Sequence, residues 1–280
     1  MPRETQEAKQ IVAQLFGDNH PSFILKTLVA HYRDTNDWAC DNCGNTGTVL
    51  KVHGTSIRSS SCMCCRIRDR NMKLSRLRTE SNIPDKYQGA AIDMWDNPGK
   101  NDKEASLNNA SYHVVEKYCS DITRVVNGGY GIYLTGPNGV GKTYLACCIA
   151  SRAIDAGLSV KYYTMAEITR MQINGWFDDD SKKSVSDIGT VDLLILDDLD
   201  KIYRTKTGIE TSLFDNMLRE RLQANLSCIF TSNRTTDDAK GDFGQHIYSM
   251  LKEHCAELVL VGSDYRSSGQ IDVRRKIIND

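Results

Sequence analysis

Eight consecutive residues, Gly136, Pro137, Asn138, Gly139, Val140, Gly141, Lys142 and Thr143, satisfy the pattern G-x-x-x-x-G-K-[ST]. These types in this order make a phosphate cradle. The glycines let backbone N–H groups converge on phosphate oxygens, and a helix starting there adds the positive end of its dipole. Lys142 would reach the β and γ phosphates of a nucleotide, and Thr143 would ligate Mg²⁺. Fifty-five positions after Lys142, the apolar run Val191 to Leu196, interrupted only by Asp192, ends in Asp197 and Asp198. Paired with a phosphate loop, such an ending is the Walker B pattern. Asp197 would hold Mg²⁺, mainly through its water shell, and Asp198 would orient or deprotonate an attacking water. Further on, Asn233 follows the run 227–231, where it can reach a γ-phosphate or its water, and Arg266 can fold back over the phosphates. A separate chemistry is written in Cys40, Cys43, Cys62 and Cys64. A C-x₂-C knuckle followed by C-x-C offers four thiolates for tetrahedral Zn²⁺, with Cys65 or His53 able to replace Cys64.

These groups need elements to position them. Residues 130–135 read as a buried strand before the phosphate loop, and 144–150 as an apolar helix after it. A second strand falls at 159–164 and a helix at 165–174. Another helix spans 208–223 and leads to a strand at 227–231, and a helix at 243–256 precedes a short strand at 258–261. Upstream, residues 105–126 read as one amphipathic helix, with apolar residues from Val114 to Val126 at helical spacing, closed by Asn127-Gly128-Gly129. The alternation of strands and helices makes an α/β fold. Within 1–36, two short helices are expected, packing on the cysteine module, on their own chain or on another protein. Residues 66–78 place six cations against Asp69 on one helix, a stripe suited to a phosphate backbone, an acidic partner or simply solvent. Ser81 to Tyr87 stops that helix and marks a domain boundary. In the polar stretch 174–183, Trp176 and Phe177 stand beside an acidic run, suited to base stacking, a partner contact or pinning the loop to the core.

Bulk properties limit the function classes. With 280 residues the chain holds a large domain and a smaller appendage. A net charge of −1 confines any nucleic-acid contact to local patches. No run reaches membrane length and no signal peptide is present, so a cytoplasmic protein is expected. Of the ten cysteines, five fall between Cys40 and Cys65, and in a reducing compartment such clustering points to metal. A small-substrate kinase would need an arginine-rich lid, which residues 200–256 do not contain. A pure interaction protein with a decayed nucleotide site would not keep Lys142, Thr143, Asp197, Asn233 and Arg266 together.

Taken in order, the phosphate loop, the Asp197-Asp198 ending, Thr231-Ser232-Asn233 and Gly262-Ser263-Asp264-Tyr265-Arg266 resemble AAA+ ATPases of the DnaC/DnaI helicase-loader and IstB group. The resemblance covers residues 83–280. It implies a P-loop ATPase domain with a central parallel sheet flanked by helices. Ahead of it stands a small zinc-binding and helical N-terminal domain, made of helices at 1–36 and a module at 37–82. Ile83-Pro84-Asp85-Lys86-Tyr87 resembles the joint of loaders that carry such a domain. By position, Asn233 becomes sensor 1 and Arg266 sensor 2. Trp176 and Phe177, with Lys201, Tyr203, Arg204 and Lys206, become candidates for single-stranded DNA contact. The implied activity is slow or partner-dependent ATP hydrolysis, with ATP, Mg²⁺ and Zn²⁺ as cofactors. The implied role is delivery of a hexameric replicative helicase onto single-stranded DNA, with self-association through the ATPase domains and no membrane. The alternative within the group is a transposition helper that binds duplex DNA. Relatives carry an arginine finger in the helix before the last strand, where Ser249-Met250-Leu251 stands here. Lys252, Arg234 or a partner would then supply the missing cation.

Overall fold

The computed structural model describes Cys43 and residues 47–53, 56–174, 188–201 and 209–266. The helices expected within 1–36, together with Cys40, Trp176, Phe177, Tyr203, Arg204 and Lys206, lie outside the described residues. The chain divides into two compact units, Met1–Lys73 and Leu74–Asp280.

In the first unit, β1 (Thr48–His53) and β2 (Ser56–Ser61) form an antiparallel hairpin in register from Thr48 opposite Ser61 to His53 opposite Ser56. At its base the Cys62 amide donates to the Gly47 carbonyl at 2.8 Å, which brings the chain back beside its own entry. Helix α1 (Met63–Glu80) begins there and buries none of its residues. Its cations therefore stand in solvent, as the polar stripe requires.

The second unit is built on a five-stranded parallel sheet. Ser81, whose hydroxyl donates to the Arg78 carbonyl, and Asn82, at φ 60°, end the preceding helix. One helix was expected over 105–126, but two form. Helix α2 (Asp102–Ser120) is capped by the Asn101 side chain, and after a break at Asp121 α3 (Ile122–Asn127) follows. Next come β3 (Gly131–Thr135), α4 (Lys142–Asp155), β4 (Val160–Thr164), α5 (Met165–Asn174), β5 (Leu193–Asp197) and α6 (Ile209–Gln223). The unit closes with β6 (Ser227–Ser232), α7 (Thr236–His254) and β7 (Cys255–Val259). Helix α7 starts earlier than the apolar periodicity suggests, because Thr235 and Asp238 form a reciprocal capping box ahead of it. It runs directly into β7, so that strand also starts earlier.

The sheet order is β4-β5-β6-β3-β7, with every pair parallel. Parallel strands covered on both faces read as continuous apolar runs, and β3, β5 and β6 are buried at every residue. Alternate side chains divide between two cores. Ile132, Leu134, Leu193, Ile195 and Ile229 face Val115, Tyr118, Leu145 and Ile149 of α2 and α4. Tyr133, Leu194, Leu196 and Phe230 face Ile168, Phe214, Leu218 and Leu251 of α5, α6 and α7. The sheet is thus the middle layer of three. Strand β3 comes first in the chain yet lies between β6 and β7, so the strand order reverses beside it. In open α/β sheets ligands bind at such a reversal, outside the carboxyl ends of the strands. The loop after β3, the end of β5 and the end of β6 all meet there. No helix among the described residues is long and apolar enough to cross a membrane.

Candidate nucleotide site

The loop between β3 and α4 takes a backbone path open to glycine. Gly139 sits at φ 79°, and a Cβ there would lie 1.6 Å from Asp264 Oδ1. Gly136 runs so close to the Leu260 carbonyl that a Cβ would come within 1.9 Å of its oxygen. Val140 turns its side chain into the core, which leaves only the backbone facing the cleft at that position. Lys142 opens α4 and is 6% exposed, so its ammonium needs partners. It donates to the carbonyls of Gly136 at 2.8 Å and Pro137 at 2.7 Å, and to Asn233 Oδ1 at 2.9 Å. Burial pulls its pKa below the ordinary lysine value, while the carboxylates of Asp198, Asp200 and Asp197 act in the opposite sense.

Asp197, at the end of β5, is also buried, and its carboxylate is held by three hydroxyls. Thr143 donates to it from the first turn of α4, 2.9 Å from Oδ1 and 3.1 Å from Oδ2. Tyr162 of β4 donates to Oδ2 at 2.6 Å, and Thr231 of β6 donates to Oδ1. The two strands flanking β5 therefore fix this carboxylate from both sides. Burial, and then the charge of Asp197, push the Tyr162 phenol far above its usual pKa, so it remains a donor. A hydroxyl beside a fixed carboxylate is an oxygen donor set of the kind Mg²⁺ takes alongside phosphate and water. Residue Thr143 was read in the sequence as a ligand; Tyr162 and Thr231 were not.

Asp198 adopts φ 58°, and its amide donates to Thr231 Oγ1 at 2.9 Å. Its carboxylate pairs with Lys201 at 2.7 Å, and that hydrogen bond raises the lysine's pKa. Asp200 forms a clamp on the end of β6. Burial alone would raise its pKa, but the backbone N–H and side-chain amide of Asn233 and the Ser232 hydroxyl hold it below the ordinary value.

A cleft of about 320 Å³ opens over these groups. Asn138, Gly139, Gly141, Lys142, Thr143, Asp198, Lys201 and Arg266 line its polar side, and Tyr87, Met94, Trp95 and Tyr144 its apolar side. Its volume and mixed lining suit a small organic ligand with a charged end. Asp264 and Arg266 come from beyond β7. The Tyr265 amide donates to the Gly139 carbonyl at 3.1 Å and the Arg266 amide to Asp264 Oδ1 at 2.8 Å, which folds this segment over the loop. The structure thus brings Lys142, Thr143, Asp197, Asp198, Asn233 and Arg266 to one end of the sheet. Tyr87, Met94 and Trp95 lie in or beside short 3₁₀ turns near the start of the second unit, and nothing in the sequence marks them as lining the site.

The surroundings of Met250 bear on the missing arginine finger. The resemblance sets it at the arginine-finger position, yet it is 8% exposed and packs in the core with Ile247, Leu251 and Phe214. Ile247, Met250 and Leu251 are spaced as one inward stripe of α7, so an arginine at 250 would have to enter the core. Lys252, considered as a substitute cation, is engaged with Glu257 at 3.2 Å and Asp237 at 3.7 Å.

In the first unit, the sulfurs of Cys43, Cys62 and Cys64 lie within 4.8 Å of one another, with Cys43 and Cys64 3.3 Å apart. Cys43 and Cys62 are buried. Cys65 stands apart from this cluster and accepts from Arg68 at 3.7 Å. Three convergent thiols fit a structural zinc site that lacks its fourth ligand among the described residues.

A family model described as IstB-like ATP binding protein matches residues 119–269. The chain is 29% identical over 140 residues to the ATP-binding protein of insertion sequence IS21 from Pseudomonas aeruginosa, covering 48% of this chain and 52% of that one. It is 24% identical over 212 residues to the replicative helicase loader DnaI of Bacillus subtilis (strain 168), covering 72% of this chain and 65% of that one. The matches thus span between half and two-thirds of the length of these relatives. A crystal structure of the DnaC helicase loader superposes with a TM-score of 0.54 at 21% identity, over 63% of this chain and 99% of that one. This likeness establishes the AAA+ P-loop fold.

Proposed function

The chain belongs to the IstB-like ATP-binding proteins, and from that premise we propose that it hydrolyses ATP to load a replicative DNA helicase onto single-stranded DNA. The observation that carries the ATP reading is Lys142 and Thr143 meeting Asn233 and Asp197 at the carboxyl end of the sheet. The loop amides and Lys142 bind and orient the triphosphate. Thr143 and Asp197 are the residues that would hold Mg²⁺, which supplies charge neutralisation at the β and γ phosphates when bound. Asp198, once released from Lys201, accepts hydrogen bonds from the attacking water and orients it. Arg266 supplies positive charge at the cleft wall.

The loader reading is supported by the extent of the match to DnaI, 72% of this chain against 48% for the IS21 protein. The cysteine module supports it as well. In this reading residues 1–36 grip the helicase, 37–82 bind zinc, and 83–280 hydrolyse ATP and self-associate around DNA. Trp176, Phe177, Lys201, Tyr203, Arg204 and Lys206 contact the strand. Size-exclusion chromatography with a hexameric replicative helicase tests this directly. A complex that forms with ATP and single-stranded DNA is expected. If none forms under any nucleotide condition, the loader reading fails. The higher identity to the IS21 protein favours the second reading, a transposition helper, which instead predicts nucleotide-dependent binding of duplex DNA without helicase.

For the cysteine module, Cys40, Cys43, Cys62 and Cys64 are proposed as the ligands of one Zn²⁺. Elemental analysis of protein purified without chelator should find about one zinc per chain, and Cys62→Ser should reduce it several-fold. Zinc-free wild-type protein with an unchanged melting temperature would dismiss the metal.

A further inference from the structure

Three carboxylates, Asp197, Asp198 and Asp200, stand close together at the end of β5, and the two that precede Leu199 have roles in the site. The third, Asp200, does not line the cleft. Its Oδ1 accepts from the backbone N–H of Asn233 at 2.9 Å and from the Ser232 hydroxyl at 3.2 Å. Its Oδ2 accepts from Asn233 Nδ2 at 3.0 Å. An amide whose NH₂ end is committed to a carboxylate must turn its carbonyl the other way. On that side, Asn233 Oδ1 accepts from Lys142 Nζ at 2.9 Å. With the Gly136 and Pro137 carbonyls, this uses all three N–H bonds of the ammonium. The reverse amide orientation would set NH₂ against ammonium and carbonyl against carboxylate, two repulsive contacts in a half-buried place. The charges on either side therefore fix the orientation of Asn233.

We propose that Asp200 is a positioning residue that locks the Asn233 carbonyl toward Lys142, so that Asn233 acts on ATP through the lysine ammonium. The inference rests on the ATP-binding site described above. In the relay, Asp200 sets the amide, the amide keeps one N–H of the ammonium, and the two N–H bonds held by the Gly136 and Pro137 carbonyls turn to the phosphates.

The polarity can be tested by exchanging the two side chains. In Asp200→Asn, two NH₂ groups confront each other or the amide reverses toward Lys142. In Asn233→Asp, two carboxylates face each other about 3 Å apart. Each single variant should weaken binding of a fluorescent ATP analogue, and slow DNA-stimulated turnover, by about tenfold, the value of one charge-assisted hydrogen bond. In the exchange variant Asp200→Asn with Asn233→Asp, the new amide donates to the new carboxylate, which still accepts from Lys142. Both quantities should return to within about threefold of the wild type. If Asn233 works by donating to the γ-phosphate, the exchange variant stays as impaired as Asn233→Asp, and the proposal is overturned. A wild-type level in Asp200→Asn alone overturns it too. Should the exchange variant not fold, the alanine cycle decides: Asp200→Ala and Asn233→Ala should be non-additive in ATP affinity, and additivity counts against the relay. A wild-type protein that binds ATP without turning it over would refute the hydrolysis reading alone, since the affinity measurements still judge the relay.

Discussion

Lys142→Ala should bind ATP roughly 10²–10⁴-fold more weakly than the wild type, the loss of two charge-assisted hydrogen bonds to phosphate at about 1.5–3 kcal/mol each. The loop backbone would survive the change, because the Gly136 and Pro137 carbonyls released by the lysine sit at the partly exposed rim of the cleft and can take water. The apo melting temperature should therefore stay within a few degrees of the wild type, at about 2–4 °C for each kcal/mol in a domain of this size. At a nucleotide concentration a hundred times the dissociation constant, the wild type gains about 2.7 kcal/mol from binding. The variant should gain almost nothing. Thermal melts with and without ATP, beside a titration with a fluorescent analogue, measure both. An ATP-induced shift that persists in the variant would mean that the cleft binds nucleotide without its lysine, and the site as described would be wrong.

The second large effect is on stability. Arg221 of α6 is 1% exposed and hydrogen-bonds to no carboxylate among the described residues. Its guanidinium donates to the carbonyls of Ile188 at 2.8 Å, Ser227 at 2.8 Å and Asp192 at 3.3 Å, and to Cys228 Sγ at 3.2 Å. One planar fork thus joins the segment entering β5 to the start of β6. Arg221→Leu fills much of the space but leaves buried carbonyls without donors, and should cost about 3–5 kcal/mol. Lysine should not rescue it, since a single ammonium cannot address acceptors spread over a fork. Urea unfolding followed by circular dichroism gives the number. A leucine variant as stable as the wild type would show that water or a local shift satisfies those carbonyls.

What was legible in the sequence follows the range of the interactions. The phosphate loop could be read because its chemistry is local: glycine backbone, lysine and threonine act within eight residues. Asp197 and Asp198 were legible because a fully buried strand announces itself as an apolar run, and its end is where a parallel sheet exposes side chains. Tyr162, Thr231 and Asp200 were not, since each works across neighbouring strands. Tyr162 looks like an ordinary strand aromatic until β4 is known to lie beside β5. Arg221 is one of several charges on the helix expected at 208–223, and nothing in its neighbours' types says that a basic residue is wanted inside. Met250 is read in two ways: the resemblance sets it at the arginine-finger position, while the spacing of Ile247, Met250 and Leu251 describes an inward face.

The segment that folds back over the phosphate loop has a consequence for how the protein comes into being. Asp264, Tyr265 and Arg266 close against Gly139, and Leu260 donates its amide to Thr135 at 2.8 Å. The loop itself leaves the ribosome far ahead of them, by on the order of ten seconds at ~5–20 residues per second. For that interval the nascent chain carries the motif but not the pocket. Strand β3 waits likewise for both of its neighbours, β6 and β7, which are translated after it. The full lining of the cleft therefore exists only once translation has run through to Arg266.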